Sequence, residues 1–436
     1  MKIIPAILSL FDYKPEKSTF YGNVPLSSNT FHGKNGTYLD FDFEKPTKIN
    51  LITLFEKGEN VTDFEIYYKD KNQFKMFYKQ NRISKLRVCA FDDIITTKIR
   101  IKILNTRKGY FKQIDAYIYN LPKKQCKFRK TAYMLAEVQN KTDPNNLKCY
   151  NNFNVIGCIR MNEKGEIFFP NVKNEFGEFD GKERFESALA MIREHTESPV
   201  IAVTILSSDY VKAFKNQNTV SNIERFLSKY NLDGISFDWE YPKNIYEWRV
   251  FDKFIVDLKR KIGNKKITLA LASWLRYRFS KTAVNCIDTV EVMTYDNMKR
   301  DIDGHHSEFF SDCANAVNHF IKMGFDTSQL DLGLPYYARP VDSAGYWKDY
   351  KDEVNKMDKF TNVVSGDYRD IDAEKKQIIV KDRFYNSCQM IEDKITFCIY
   401  ADVGGVMIWE LGADTSSNHE LCLSKTLNNT VRKRLK

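Results

Sequence analysis

The stretch "LDGISFDWEYP" (Leu232–Pro242) sets a serine and two acids on alternate positions, Ser236, Asp238 and Glu240. On a β-strand, side chains two apart share a face. These three therefore point one way, and Ile235, Phe237 and Trp239 point the other. The apolar face suits burial. Two neighbouring carboxylates on the opposite face do not, unless that face opens onto a site. If the strand is parallel and central, both faces are covered. Its carboxylates then lose hydration and repel each other, so one must hold its proton to unusually high pH. A glutamic acid raised towards neutral pH is what a general acid requires.

Outward from this stretch, apolar runs alternate with amphipathic ones from about Thr131 onward. The strand candidates are "TAYMLAEV", "NVIGCIR", "PVIAVTIL", "LDGISFDWE", "KITLALAS", "TVEVMTYD", "LDLGLPYY" and "GGVMIWEL". In "NTVSNIERFLSKYN" and "EWRVFDKFIVDLKRKIG" apolar residues recur every three or four positions, as in a helix. "DCANAVNHFIKMG" closes on Gly324, which suits a helix C-cap. Eight strand candidates, most of them followed by a helix candidate, over roughly 300 residues predict an α/β fold, the (β/α)8 TIM barrel, with its site at the C-terminal strand ends.

The first part of the chain reads differently. "YLDFDF", "KINLITLFE", "DFEIYYKD", "KMFYKQ", "TTKIRIKIL" and "QIDAYIYN" are short β-branched and aromatic runs parted by turn residues, the pattern of an all-β sandwich or small barrel. At 436 residues the chain is long enough for one large domain and a smaller one. The expected division is a β-sandwich over 1–122, a basic linker over 123–130 ("KKQCKFRK") and the barrel over 131–436.

Hydrophobic content of 43% excludes global disorder, and no apolar run is long enough to span a membrane. The opening "MKIIPAILSLF" faintly resembles a secretory signal but lacks a small-residue cleavage site, and it is read as part of the folded chain. Nine cysteines, an odd number with no C-x-x-C pair, predict free thiols and no metal site. A net charge of +10 comes from scattered lysines and arginines; it fits a solvated surface or attraction to an anionic matrix such as a cell wall. No zinc-finger spacing or RNA-binding aromatic motif supports a nucleic-acid partner. A monomer without cofactor is expected.

"DGISFDWEYP" resembles the D-x-x-D-x-D-x-E signature of glycoside hydrolase family 18, the chitinases and endo-β-N-acetylglucosaminidases, with Asp233, Asp238 and Glu240 at its first, third and fourth positions. "VMTYD" (Val292–Asp296), "LGLPYYAR" (Leu332–Arg339) and "GGVMIWELGAD" (Gly404–Asp414) are similar to the family's sixth-, seventh- and eighth-strand motifs, in order. The resemblance implies hydrolysis of β-1,4-linked N-acetylglucosamine polymers with the substrate's own 2-acetamido group as nucleophile. It implies Glu240 as general acid/base and Asp238 as partner of the acetamide N–H. Tyr295 would donate to the acetamide carbonyl, and Trp409 would form the apolar floor under the sugar. Met293 would pack beside Tyr295, and Asp296 would bind sugar hydroxyls. Arg339, at a strand end, and Trp274 are further candidates.

Ser236 departs from the family's second Asp, which normally shares a hydrogen bond with the third and tunes its charge. A lower or pH-shifted activity is the expectation. The third strand "PVIAVTILSS" also lacks the family's common glycine pair. The segment between the seventh and eighth strands looks too short for an added lobe, so a shallow, open cleft is expected. The β domain resembles the discoidin-like sandwich of family 32 carbohydrate-binding modules, although "HGKNGTYLDFDF" replaces that group's usual D-G…T-x-W stretch. N-glycan cores, peptidoglycan-related glycans, or a sugar-binding protein without turnover are the alternative functions. The function favours secretion or the cell surface, while the lack of a clear signal and the odd cysteine count leave the cell interior open.

Overall fold

The computed structural model describes residues 25–436 apart from 175–176, 298–305, 341–346, 367, 372–376 and 381. The signal-like opening and part of "RPVDSAGYWKDY" therefore lie outside the described residues.

The first strands are β1 (Ser27–Lys34), β2 (Tyr38–Lys57), β3 (Val61–Asp70), β4 (Gln73–Asn81), β5 (Arg87–Thr106) and β6 (Tyr110–Tyr119). They hydrogen-bond as one antiparallel sheet in the order β1-β6-β2-β5-β3-β4. Alternation sends Leu39, Phe41, Phe64, Ile66, Ile99, Ile101 and Ile103 into one buried cluster. The long strands β2 and β5 break register between Asp42 and Thr47. Such irregularities bend a strand and sharpen its twist.

Eight parallel strands then close into a barrel. They are β7 (Arg129–Leu135), β8 (Asn152–Ile156), β9 (Val200–Thr204), β10 (Gly234–Phe237), β11 (Lys266–Ala272), β12 (Thr289–Met293), β13 (Leu330–Pro335) and β14 (Gly405–Trp409). The basic stretch before the barrel thus runs straight into β7, with Arg129 already hydrogen-bonded to Asp331 across the interior. The helices outside include α1 (Gly181–His195), α2 (Thr219–Lys229), α3 (Ile245–Ile262), α4 (Asn315–Lys322), α5 (Cys388–Tyr400) and α6 (Leu423–Arg434). In α3, Asn244 caps the N-terminus by accepting from the Tyr246 and Glu247 amides, and Gly263 ends it at φ 61°. Trp248, Phe251, Phe254, Ile255 and Leu258, spaced by one helical turn or less, form its buried face.

Helix α5 is buried on every side, charged residues included, because the N-terminal sheet covers its outer face. Asp393 accepts from the Ala90 amide (2.9 Å) and the Tyr78 hydroxyl (2.6 Å), and Gln389 donates to the Ala90 carbonyl. Lys394 turns the other way, onto the Ser307 carbonyl and Asn386. Between β13 and β14 the chain also makes three two-stranded ribbons: Tyr337–Ala338 with Lys348–Asp349, Val363–Val364 with Arg383–Phe384, and Tyr368–Ile371 with Gln377–Val380. No helix of the described residues is long and apolar enough to cross a membrane.

Candidate active site

The barrel has two kinds of interior. Its outer wall, against the helices, is aliphatic and aromatic: Ile235 and Phe237 of β10 lie there beside Phe251, Phe254 and Ile255 of α3. Its lumen is polar. Tyr133 and Asn154, on β7 and β8, reach across to Glu291 on β12, and Arg129 pairs with Asp331. Since β12 neighbours neither β7 nor β8, these bonds span the lumen. Ser236 lies in this layer, fully buried, 3.4 Å from the Tyr133 hydroxyl. Asp233, the first acid of the motif, accepts from the Ile201 amide at the opposite end of β10.

Above that layer a cavity of about 330 Å³ opens, lined by Asp238, Glu240, Trp274, Met293, Tyr295, Asp296 and Trp409. Seven of the nine sequence-derived candidates thus share one wall. Ser236 lies below the cavity and Arg339 beside it. Tyr133, Tyr241, Tyr337, Trp347 and Met407 also line it and were not anticipated. Their signal was faint, because an aromatic on a strand is ordinarily core.

Trp239 holds the acidic pair in place from behind. It stacks on Tyr210 at 5.0 Å, and the Tyr210 hydroxyl donates to the Asp238 carbonyl. Burial, then the charge of Glu240 and a hydrogen bond shared with it, push the Asp238 carboxyl up to about 7. The rise expected of one acid of the pair falls on Asp238. Its Oδ1 is buried and lacks a hydrogen-bond partner among the described residues. Glu240 is solvent-exposed at the mouth.

Tyr295 is 8% exposed, its ring edge-on to Tyr337. Gly333 on β13 makes room for it: a Cβ there would lie 2.6 Å from the Tyr295 ring. Asp296 is committed to protein partners. Arg339 Nη1 lies 2.9 Å from one oxygen, and the Tyr337 hydroxyl donates to the other at 2.8 Å, with His306 beside it. Burial alone would raise this carboxyl, but His306 and Arg339 hold it below the usual range. Arg339 also lies over the Trp347 ring. Trp274 and Trp347 are both 58% exposed and flank the mouth. A second cavity of about 330 Å³ adjoins the first, shares Tyr337, Trp347 and Trp409 with it, and adds Glu137, Lys141, Asp349 and Glu410. Burial pushes Glu410 up to about 7. The cleft is therefore elongated, aromatic on its walls and acidic at its centre, a form suited to a sugar chain. Among the described residues no group of three or more His, Cys, Asp and Glu could hold a metal ion.

A closed parallel barrel with a carboxyl pair beyond its fourth strand, under an aromatic cleft, has the form of a glycosidase site. The sequence profile described as "Glycosyl hydrolases family 18" matches residues 109–414, and the chain belongs to that family. Probable chitinase 2 of Drosophila melanogaster is 22% identical over 312 residues, covering 56% of this chain and 61% of that protein. Chitinase A1 of Niallia circulans is 24% identical over 274 residues, 48% of this chain and 37% of that one. The chain thus spans less than two thirds of these curated relatives. Among solved structures, a chitinase from Bacteroides thetaiotaomicron superposes with a TM-score of 0.56 at 18% identity, covering 71% of this chain and 97% of that one. The chitinase ChiB from the chitin utilization locus of Flavobacterium johnsoniae gives 0.54 at 18%, covering 71% and 94%. These structures share the fold.

Proposed function

We propose that the chain hydrolyses β-1,4-linked N-acetylglucosamine polymers of the chitin type with retention, the substrate's acetamido group serving as nucleophile. Glu240 protonates the glycosidic oxygen and later activates water. Asp238 takes the acetamide N–H and offsets the charge of the oxazolinium. Tyr295 donates to the acetamide carbonyl, and Trp409 supports the distorted ring. The observation that carries the reading is the carboxyl pair Asp238 and Glu240 facing Tyr295 and Trp409 across one cavity. The unpartnered Asp238 Oδ1 supports it further, since a buried acceptor without a donor costs about 1–3 kcal/mol and an acetamide N–H would supply one. Relatives named as chitinases favour this polymer over the other glycans.

The test is product analysis on chitin oligomers, a high-mannose glycopeptide and peptidoglycan side by side, with Glu240→Gln as control. Turnover of the chitin oligomers falls about 100-fold or more in the variant. Unchanged turnover in Glu240→Gln refutes the assignment.

For the N-terminal region we infer a discoidin-like, carbohydrate-binding module over 1–122, followed by the stretch 123–130 and the barrel from 131. Its packing on α5 gives it a fixed place relative to the cleft, so it would raise the local concentration of a glycan surface. Retention of full-length Glu240→Gln on a polysaccharide, in the presence of soluble oligomers that fill the cleft, tests that role.

A further inference from the structure

Glu291 sits in the middle of β12, 1% exposed, and no cation contacts it among the described residues. Asn154 donates to both its oxygens, at 2.7 and 2.8 Å, and the Tyr133 hydroxyl lies 2.6 Å from Oε2. Arg129, which pairs with Asp331 at 2.7 Å, is not available to Glu291. The same Tyr133 hydroxyl lies 3.4 Å from Ser236 Oγ. Ser236 shares a strand face with Asp238, two positions on.

We propose that Glu291 supplies from β12 the buried carboxyl that β10 lacks at position 236, and that it acts on Asp238 as a positioning residue through the charge it places beneath Asp238 and the hydrogen bond it shares with Tyr133. The inference rests on the role given to Asp238 under the proposed function.

The argument turns on which way the hydroxyls point. A protonated Glu291 accepts from Asn154 on its carbonyl oxygen and donates its O–H to the Tyr133 oxygen. Tyr133 is then free to donate to Ser236, 3.4 Å away, and no negative charge from Glu291 lies beneath Asp238. An ionised Glu291 reverses this: Tyr133 must donate to it, and Ser236 loses its donor. A second negative charge then lies beneath Asp238, which keeps its proton more tightly. The two carboxyls are coupled, and their protons come off as a pair. The groups facing Glu291 are Tyr133 and Asn154 from β7 and β8, Asp331 with its partner Arg129 from below, and Asp238 and Tyr295 from above. Burial, Asp331 and Asp238 push its carboxyl up to about 8, with Tyr133 and Asn154 opposing. At neutral pH Glu291 is therefore uncharged and the Tyr133 hydroxyl is free to turn to Ser236.

Glu291→Gln fixes the neutral arrangement, since its amide donates to Tyr133 and its carbonyl accepts from Asn154. In kcat/KM against pH on chitin oligomers, the wild type loses activity above about 8 as Glu291 ionises. Glu291→Gln lacks that part of the fall and stays within about threefold of wild type near pH 6–7. Tyr133→Phe removes the donor that favours the Glu291 anion while filling the same space, so the part of the fall due to Glu291 moves to higher pH. Ser236→Asp in the Glu291→Gln background restores a buried ionisation. A profile of Glu291→Gln superimposed on wild type, or lowered equally at every pH, overturns the proposal. Infrared difference spectra read the proton without turnover: a neutral carboxylic acid signal, lost in Glu291→Gln, titrates near 8. Its absence from the wild type at neutral pH also overturns the proposal. Absence of turnover on every glycan refutes the proposed function and leaves the spectral titration standing as its own test.

Discussion

Asp238→Asn separates charge from shape at the centre of the site. Burial and Glu240 move the Asp238 carboxyl from 3.8 to about 7. Each pKa unit is worth about 1.36 kcal/mol, so holding the anion at this place costs on the order of 4 kcal/mol more than in water. The sign follows directly. Below about 7 the group is neutral and cannot balance a developing oxazolinium charge; above it the anion forms and activity rises. The kcat/KM profile of the wild type on a chitin oligomer therefore carries a rising limb near 7, set by the free enzyme. Asparagine keeps an oxygen able to accept the acetamide N–H but cannot ionise. The variant loses that limb, and kcat falls about 100- to 1,000-fold, the usual cost of losing one electrostatic contact to a transition-state charge. KM changes far less, because the hydrogen bond survives. A wild-type limb near 4, or an Asp238→Asn profile that keeps the limb at 7, refutes the reasoning.

Arg339→Met strips Asp296 of its cation at 2.9 Å. Breaking a largely buried pair costs on the order of 3 kcal/mol, so thermal unfolding moves to lower temperature and KM rises as the wall at Tyr337 and Trp347 loosens. Trp274→Ala and Trp347→Ala each remove an exposed ring from the rim. With about 1 kcal/mol per stacked ring, KM for long oligomers rises about fivefold, while the shortest substrate is unaffected. Asp393→Asn tests the seam between sheet and barrel. Burial raises the Asp393 carboxyl to about 7 from 3.8, so its contribution to stability is complete below about 3.8 and is lost as pH rises through 7. Wild-type unfolding stability should fall between about pH 4 and 7 by up to about 4 kcal/mol, and the Asn variant, measured by denaturant titration, should lose that slope.

Periodicity made the eight barrel strands legible because each is a short apolar run, and the wall they form against the helices is apolar throughout. The carboxyl pair was legible because its alternate spacing continues that of a buried strand; the strand itself ends at Phe237, and Asp238 and Glu240 follow it at the barrel mouth. What escaped was the lumen. Glu291 sits two positions before Met293 in "TVEVMTYD" and looks like any polar residue on a strand; only closure of the barrel brings it to Tyr133 and Asn154, more than a hundred residues away in sequence. Trp347 escaped for a similar reason, since its place at the rim depends on the pairing of Tyr337–Ala338 with Lys348–Asp349. Asp296 was visible but its commitment was not: the partners Arg339, Tyr337 and His306 come from other segments.

The serine at 236 then has a physical reason. The lumen under Asp238 holds one carboxyl within reach of Tyr133, and among the described residues no cation contacts it, Arg129 being paired with Asp331. A further acid at 236, beside Glu291, would have to hold its proton as well or stand as a buried charge without a partner, and such a charge costs several kcal/mol. With a glutamate already seated on β12, a hydroxyl at 236 can accept from Tyr133 without adding charge. Ser236→Asp alone should accordingly lower stability and activity together, and Ser236→Asp with Glu291→Gln should recover both. Recovery in the double variant is non-additive by construction, so a simple sum of the single effects would show that positions 236 and 291 do not share one task.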